Sequence, residues 1–451
     1  MRKEKDDLFE RWIEELSYAE KSRSENFKTP RALPPPFNMG DNYGGASLTA
    51  DNKEMFITIC KPGLNGYNNC DIYKISRRNG MWGELENLGP NINTEDGWES
   101  QPSISADGQT LFFATARANS KKMDIYYSNR NADGTWQAAK AVENGINTEG
   151  NEKSPFIHSD SQTLYFSSDG HTGVGGFDIF YTRQDEKKQW IKPKNLGIPI
   201  NTEKDEAGFF VSTDGKTGYF SSNFIKGAGG WDIFQFDLYE KARPQNIVFL
   251  KGTVKDPSGS EIKNATVELK NTETKETIEV KVDSIDGKYV AVMAVKKPAD
   301  LVLTVKEPGK VPQIKLIPKE IEQGKPIKIE NEIKPPKKGE TYTINDIKYK
   351  SNSSELTTES KFVLDEFALY LKSNTKIKIQ IQGHTDDVGD DKNNMALSSD
   401  RAFTVMQYLQ NTGIEGKRLS FMGFGETKPL LPNTSDENRA KNRRTEFIIL
   451  D

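Results

Sequence analysis

QPSISADGQTLFFATARANSKKMDIYYSNRNADGTWQAAKAVENGINT, residues 101–148, contains four strand-like stretches, and it recurs along the chain. Gln101–Ser105, Thr110–Ala116, Met123–Ser128 and Trp136–Val142 are rich in β-branched and aromatic residues. Turn chemistry at Ala106-Asp107-Gly108 and Asn131-Ala132-Asp133-Gly134 separates them. Trp82, Trp136 and Trp190 are 54 residues apart, as are Asn93-Thr94, Asn147-Thr148 and Asn201-Thr202. Asp-Ile-aromatic returns at Asp71, Asp124, Asp178 and Asp232, and a turn aspartate precedes each second strand at Asp51, Asp107, Asp160 and Asp214. Four antiparallel strands at a fixed period describe a β-propeller blade; a tandem β-array without ring closure is the alternative. The fourth unit has Pro244 where its outer-strand tryptophan would fall. One period before Trp82 lies Lys28, followed by Thr29-Pro30-Arg31-Ala32-Leu33, which matches Gly83–Asn87 in its place within the unit. The expectation is a four-bladed propeller over residues 24–245, its last blade completed by this N-terminal segment so that no edge stays open.

The chain of 451 residues is long enough for about three domains. Its 62 Lys and Arg against 66 Asp and Glu give a net charge of −4, which argues against a nucleic-acid binder built on phosphate contacts. No stretch approaches the roughly 18 apolar residues of a membrane span. Three histidines and two cysteines leave little material for a metal site, and neither metal nor cofactor is expected. No apolar leader follows Met1.

Residues 1–23 read as an amphipathic helix, with Leu8, Phe9, Trp12, Ile13 and Leu16 on one face and Asp6 or Asp7 as cap. Cys60 and Cys70 flank a hairpin connection, so a disulfide is geometrically open to them; two unrelated buried thiols are the alternative. Residues 246–332 hold further strands, at Phe249–Val254, Asn264–Leu269 and Thr277–Val282, then a turn at Asp286-Gly287. Lys334-Pro335-Pro336-Lys337-Lys338-Gly339 marks residues 333–341 as an extended, solvated linker. Residues 342–451 alternate strand and helix: Ile344–Tyr349, Thr357–Ser373, Lys376–Gln382, Asn394–Gln410, Arg418–Gly423 and Arg444–Leu450. This βαβαββ order predicts an α/β sandwich. On the second helix Asn394 and Arg401 fall within about 20° of each other, flanking a stripe of Ser398, Ala402, Val405, Met406 and Leu409.

The 54-residue units resemble the WD40-like (PD40) repeats of bacterial envelope proteins, and residues 246–332 resemble the carboxypeptidase regulatory-like β-sandwich. Gly383-His384-Thr385-Asp386, Asn394, Leu397-Ser398, Arg401-Ala402, Gly423-Phe424-Gly425-Glu426 and Asn442-Arg443-Arg444 are similar to the OmpA-like C-terminal domain. That resemblance implies non-covalent binding of peptidoglycan through the diaminopimelate of its stem peptide. Asp386 would take the ligand ammonium and Arg401 its carboxylate, while Thr385 and Asn394 would give neighbouring hydrogen bonds. Arg443 and Arg444 would lie at the pocket rim, and His384 would be structural. A plain Asp386–Arg401 salt bridge is the alternative reading of the same residues. The family's first strand commonly ends in Phe-Asp; here Tyr349-Lys350 stands in that place.

The domain order resembles the peptidoglycan-tethered component of the Bacteroidota type IX secretion machinery, which carries tetratricopeptide repeats in front; none lies in this sequence. The expectation is a non-catalytic scaffold on the periplasmic face of the outer membrane, reached by export, anchored to peptidoglycan and presenting a propeller to envelope or secretion proteins. A general envelope stabiliser is the alternative. A propeller-type hydrolase is a remote one, since no G-x-S-x-G elbow occurs.

Overall fold

The computed structural model describes all residues except 1, 6–9, 23–26, 63–67, 224–229, 258–261, 263, 323 and 351–352. The chain divides into two compact units, residues 1–248 with 323–325, and residues 249–322 with 326–451. Among the described residues no helix is long and apolar enough to cross a membrane.

The first unit contains consecutive antiparallel sheets, each a simple meander. The first comprises Asn42–Leu48, Glu54–Pro62, Asn68–Arg78 and Met81–Asn87. The second comprises Trp98–Ile104, Thr110–Ala116, Asp124–Asn129 and Lys140–Ala141. The third comprises Glu152–Ile157, Thr163–Ser168, Asp178–Arg183 and Lys194–Asn195, and the fourth Glu206–Val211, Thr217–Ser222 and Asp232–Asp237. The turn aspartates act as the sequence suggests: Asp107 accepts from the Gln109 amide at 3.0 Å and from Ser105 Oγ at 2.5 Å.

The repeating asparagine has a definite task. Asn93 accepts from the Ile72 amide (2.8 Å) and donates to its carbonyl (2.9 Å). Asn147 does the same for Ile125 and Asn201 for Ile179. One side-chain amide thus satisfies both backbone groups of a buried strand residue. The threonine beside each asparagine binds a buried glutamate through its amide and hydroxyl: Thr94 to Glu99, Thr148 to Glu152, Thr202 to Glu206. Neighbouring sheets interlock through aromatic rings. Trp136 meets Phe56 edge-on at 5.8 Å, and Trp190 meets Phe112 at 5.9 Å. Cys60 and Cys70 are directly paired across the first sheet and joined as a disulfide.

The N-terminal segment departs from the expected helix. Its described residues form short strands, Arg2–Lys5, Glu10–Ile13 and Ser17–Tyr18. The reason is long-range: Asn38 bonds the Leu16 amide (2.8 Å) and carbonyl (2.9 Å), fixing an extended backbone that an isolated amphipathic pattern does not foresee. Nor does Thr29–Leu33 complete the fourth sheet, which is three-stranded among the described residues. Arg31–Ala32 pairs instead with Ser17–Tyr18. The registers Ser17↔Ala32 and Tyr18↔Arg31 repeat Tyr126↔Ala141 and Tyr127↔Lys140. The isolated bridge Lys21↔Phe27 repeats Arg130↔Trp136. Residues 13–22 and 27–38 therefore repeat the pattern of a further, partial unit, with Phe27 in the place of tryptophan and Asn38 in that of the clamping asparagine. Phe27 meets Tyr219 of the fourth sheet at 6.4 Å, and Phe37 meets Trp82 of the first at 5.9 Å. Where the fourth unit would carry its own tryptophan, the Ala242 carbonyl accepts from the Tyr165 hydroxyl at 2.6 Å.

In the second unit, one sheet runs Lys288–Val295, Asn246–Lys255, Ile327–Glu332. The other runs Thr277–Lys281, Thr266–Asn271, Leu301–Lys306, Gln313–Ile317. Residues 333–341 are not a free linker. Ile333 is fully buried, Lys334 bridges to Val311, and the Tyr342 hydroxyl donates to the Pro335 carbonyl at 2.8 Å. The expected solvation gives way to packing because the flanking modules share a core. The C-terminal sheet is Thr341–Ile344, Thr445–Ile449, Ile379–Gly383, Leu419–Gly423, with helices α1 (Thr358–Ser373), α2 (Asp391–Asn411) and α3 (Asp436–Asn442). The first strand ends at Ile344, five residues before the expected Tyr349, and α3 was not anticipated. Val302, Val311 and Ile314 join Val363, Leu364 and Phe367 of α1 in one cluster, and Lys270 pairs with Glu366 at 2.8 Å. Ile314→Ala should cost about 2–4 kcal/mol. Amide exchange should then accelerate in both α1 and Leu301–Lys306; acceleration in one alone would show that the modules unfold independently.

Candidate ligand site in the C-terminal domain

The site lies where two strands end against the N-terminal half of α2. Glycines make the approach possible. A Cβ on Gly383 would lie 2.1 Å from the Ser398 carbonyl oxygen, and one on Gly423 would lie 2.4 Å from the Ser399 nitrogen. Ser398 Oγ then receives the Gly425 amide at 2.8 Å, and the Thr385 amide reaches the Gly425 carbonyl at 2.9 Å. Asp390 starts α2 by accepting from the amides of Lys392 and Asn393. This frame holds the loop from His384 onward.

Asp386 is buried. One carboxylate oxygen accepts from the Val388 amide at 3.2 Å, and the other pairs with Arg443 Nη1 at 2.5 Å. The adjacent Thr385 hydroxyl is buried with no hydrogen-bond partner among the described residues, which suits a site that binds something else. Among the described residues Arg401 forms no ion pair with Asp386, so the plain salt bridge, the alternative reading of these residues, is not seen. Its Nε donates to the Ser353 carbonyl at 3.1 Å and its guanidinium stands 4.8 Å from the Tyr349 ring centre. Burial lowers its pKa, and the neighbouring Arg443 charge lowers it further. Burial likewise pushes the Tyr349 hydroxyl up to about 12.

Asn394 is engaged with the protein. Its amide donates to Glu426 at 2.7 Å and to the carbonyls of Asp386 and Val388 at 3.3 Å. It thereby braces the loop that carries Asp386. Arg444 is directed away, with Nε on Glu446 at 2.8 Å and Nη2 on the Lys428 carbonyl. Lys350 pairs with Glu355 at 2.5 Å on the surface. The fold thus brings together Asp386, Thr385, Arg401 and Arg443. Sequence reading missed Arg443 as the direct partner of Asp386 and Glu426 as the partner of Asn394, although both lie within the quoted motifs.

Residues 348–443 match the OmpA family. Over 105 residues the chain is 36% identical to outer membrane porin F of Pseudomonas aeruginosa, covering 23% of this chain and 30% of that protein. Over 104 residues it is 31% identical to the peptidoglycan-associated lipoprotein of Buchnera aphidicola, covering 23% of this chain and 60% of that one. The crystal structure of the peptidoglycan-associated lipoprotein from Burkholderia pseudomallei is 28% identical over 24% of this chain and 88% of that chain, with a TM-score of 0.22. The chain therefore spans less than two thirds of either curated relative.

Behind the site, His384 is buried and stacked on Phe424, its Nε2 3.2 Å from Glu446 but off the hydrogen-bonding direction. Burial would raise the Glu446 pKa; His384 and Arg444 outweigh it and hold the carboxyl at about 2. Because the folded pKa lies below the unfolded value, the stabilisation is present above about pH 4.5 and is lost as pH falls toward 2. Amide exchange at Thr445–Ile449 should rise steeply across that window, and Glu446→Gln should flatten the rise.

Proposed function

We propose that this protein is a non-catalytic cell-envelope scaffold whose C-terminal domain binds peptidoglycan through the diaminopimelate of the stem peptide. The observation that carries the reading is a buried carboxylate and an orphaned buried hydroxyl beside two guanidiniums. That set is complementary to a zwitterion, with its ammonium on Asp386 and Thr385 and its carboxylate on Arg401. The name of the peptidoglycan-associated lipoprotein, similar over this same segment, supports it. The domain then sits on the periplasmic side of the outer membrane. Asp386→Ala and Arg401→Ala should each reduce sacculus pull-down at least tenfold while the chain stays folded, each removing a charge-assisted contact. Unchanged pull-down in the double variant would place the ligand elsewhere.

In the same reading the first unit is a PD40-type propeller of five units rather than four, closed by residues 13–38, and its face binds protein partners. The contacts of Phe27 with the fourth sheet and Phe37 with the first support closure. Residues 246–332 act as a carboxypeptidase regulatory-like module. The order of modules favours a place in a type IX secretion assembly, testable by co-purification with that machinery. Asn38→Ala should speed amide exchange in Thr217–Ser222 as well as in Asn42–Leu48. An effect confined to the latter strand would mean the ring does not close through this segment.

A further inference from the structure

The carboxylate that the peptidoglycan reading assigns to the ligand ammonium is paired with a cation of the protein itself. Arg443 Nη1 sits 2.5 Å from Asp386 Oδ2, the carboxylate oxygen that the Val388 amide leaves unused. The two arginines of the site are held very differently. Arg401 is fixed by the Ser353 carbonyl and the Tyr349 ring. Arg443 follows the last residue of α3, its side chain is about half exposed (48%), and among the described residues its guanidinium bonds Asp386 alone. A long, half-exposed side chain turns outward at little cost. Asp386, 9% exposed on the same measure and set in the strand-end loop, cannot follow it.

We propose that Arg443 is a displaceable counter-ion that makes this site select a zwitterionic terminus over a bare ammonium. An ammonium that bonds Asp386 and the unpartnered Thr385 hydroxyl must expel Arg443. A ligand carrying a carboxylate next to that ammonium gives the expelled guanidinium a new partner, so one charge-assisted contact is exchanged for another. A bare amine expels it and returns nothing. Selectivity then comes from a penalty on the wrong ligand as well as from attraction of the right one. The inference rests on the peptidoglycan reading and deepens it by assigning the discriminating residue.

The probes are two synthetic stem tetrapeptides, one with meso-diaminopimelate and one with lysine at the third position, titrated calorimetrically into the full chain. The wild type should prefer the diaminopimelate stem by about tenfold or more, the worth of one charge-assisted contact. Arg443→Ala should raise the affinity for the lysine stem several-fold and change that for the diaminopimelate stem less, so the ratio contracts. Arg443→Lys, which keeps a displaceable cation, should largely restore it. A ratio unmoved by Arg443→Ala, or two affinities lowered in parallel, overturns the counter-ion role and leaves the peptidoglycan reading intact. A wild type that binds neither stem overturns both.

Discussion

The first unit depends on how one residue of each repeat has its backbone N–H satisfied and its carbonyl given a second donor beside the amide of Leu88, Val142, Leu196 or Leu33. A side-chain amide from the same unit does so, by accepting from one residue's N–H and donating to its C=O. This occurs at Ile72, Ile125, Ile179 and, in the partial N-terminal unit, Leu16. An unpaired buried amide costs on the order of 1–3 kcal/mol, so each clamp fixes where the following loop must run. The adjacent threonine then fixes the next glutamate at the start of the next inner strand. The period of 54 is the spacing at which these two devices hand the chain from one sheet to the next.

In the C-terminal domain the governing constraint is distance between backbones. Gly383 and Gly423 allow α2 to lie against the strand ends, closer than any side chain would permit. That contact lets Ser398 bond Gly425 and lets Asn394 tie the Asp386 loop to Glu426. The carboxylate is thus buried without being neutralised by its own frame, and the half-exposed Arg443 supplies the charge it lacks.

The second unit joins what composition divides. A run of lysine and proline signals solvent, yet residues 333–341 lie between two modules that share one hydrophobic cluster. Apolar side chains on the strands Leu301–Lys306 and Gln313–Ile317 and on α1 have more to gain from each other than from separate burial. The strands Leu301–Lys306 and Gln313–Ile317 and the C-terminal domain thus fall in one compact unit.

Much was legible from sequence alone because the signals were local and repeated. Turn aspartates, strand alternation, the 54-residue period and, α3 apart, the order of strands and helices in the last hundred residues each follow from short-range stereochemistry. The positions of Asp386, Thr385 and Arg401 within one motif set were likewise visible. What tertiary structure decided involved partners far apart in the chain. Leu16 is extended because of Asn38, Arg31–Ala32 pairs with Ser17–Tyr18 rather than with the fourth sheet, and Asp386 holds Arg443 instead of Arg401. Amphipathic spacing in residues 1–23 suits a helix, yet the described residues form short strands. Those choices depend on long-range contacts, which local pattern does not encode.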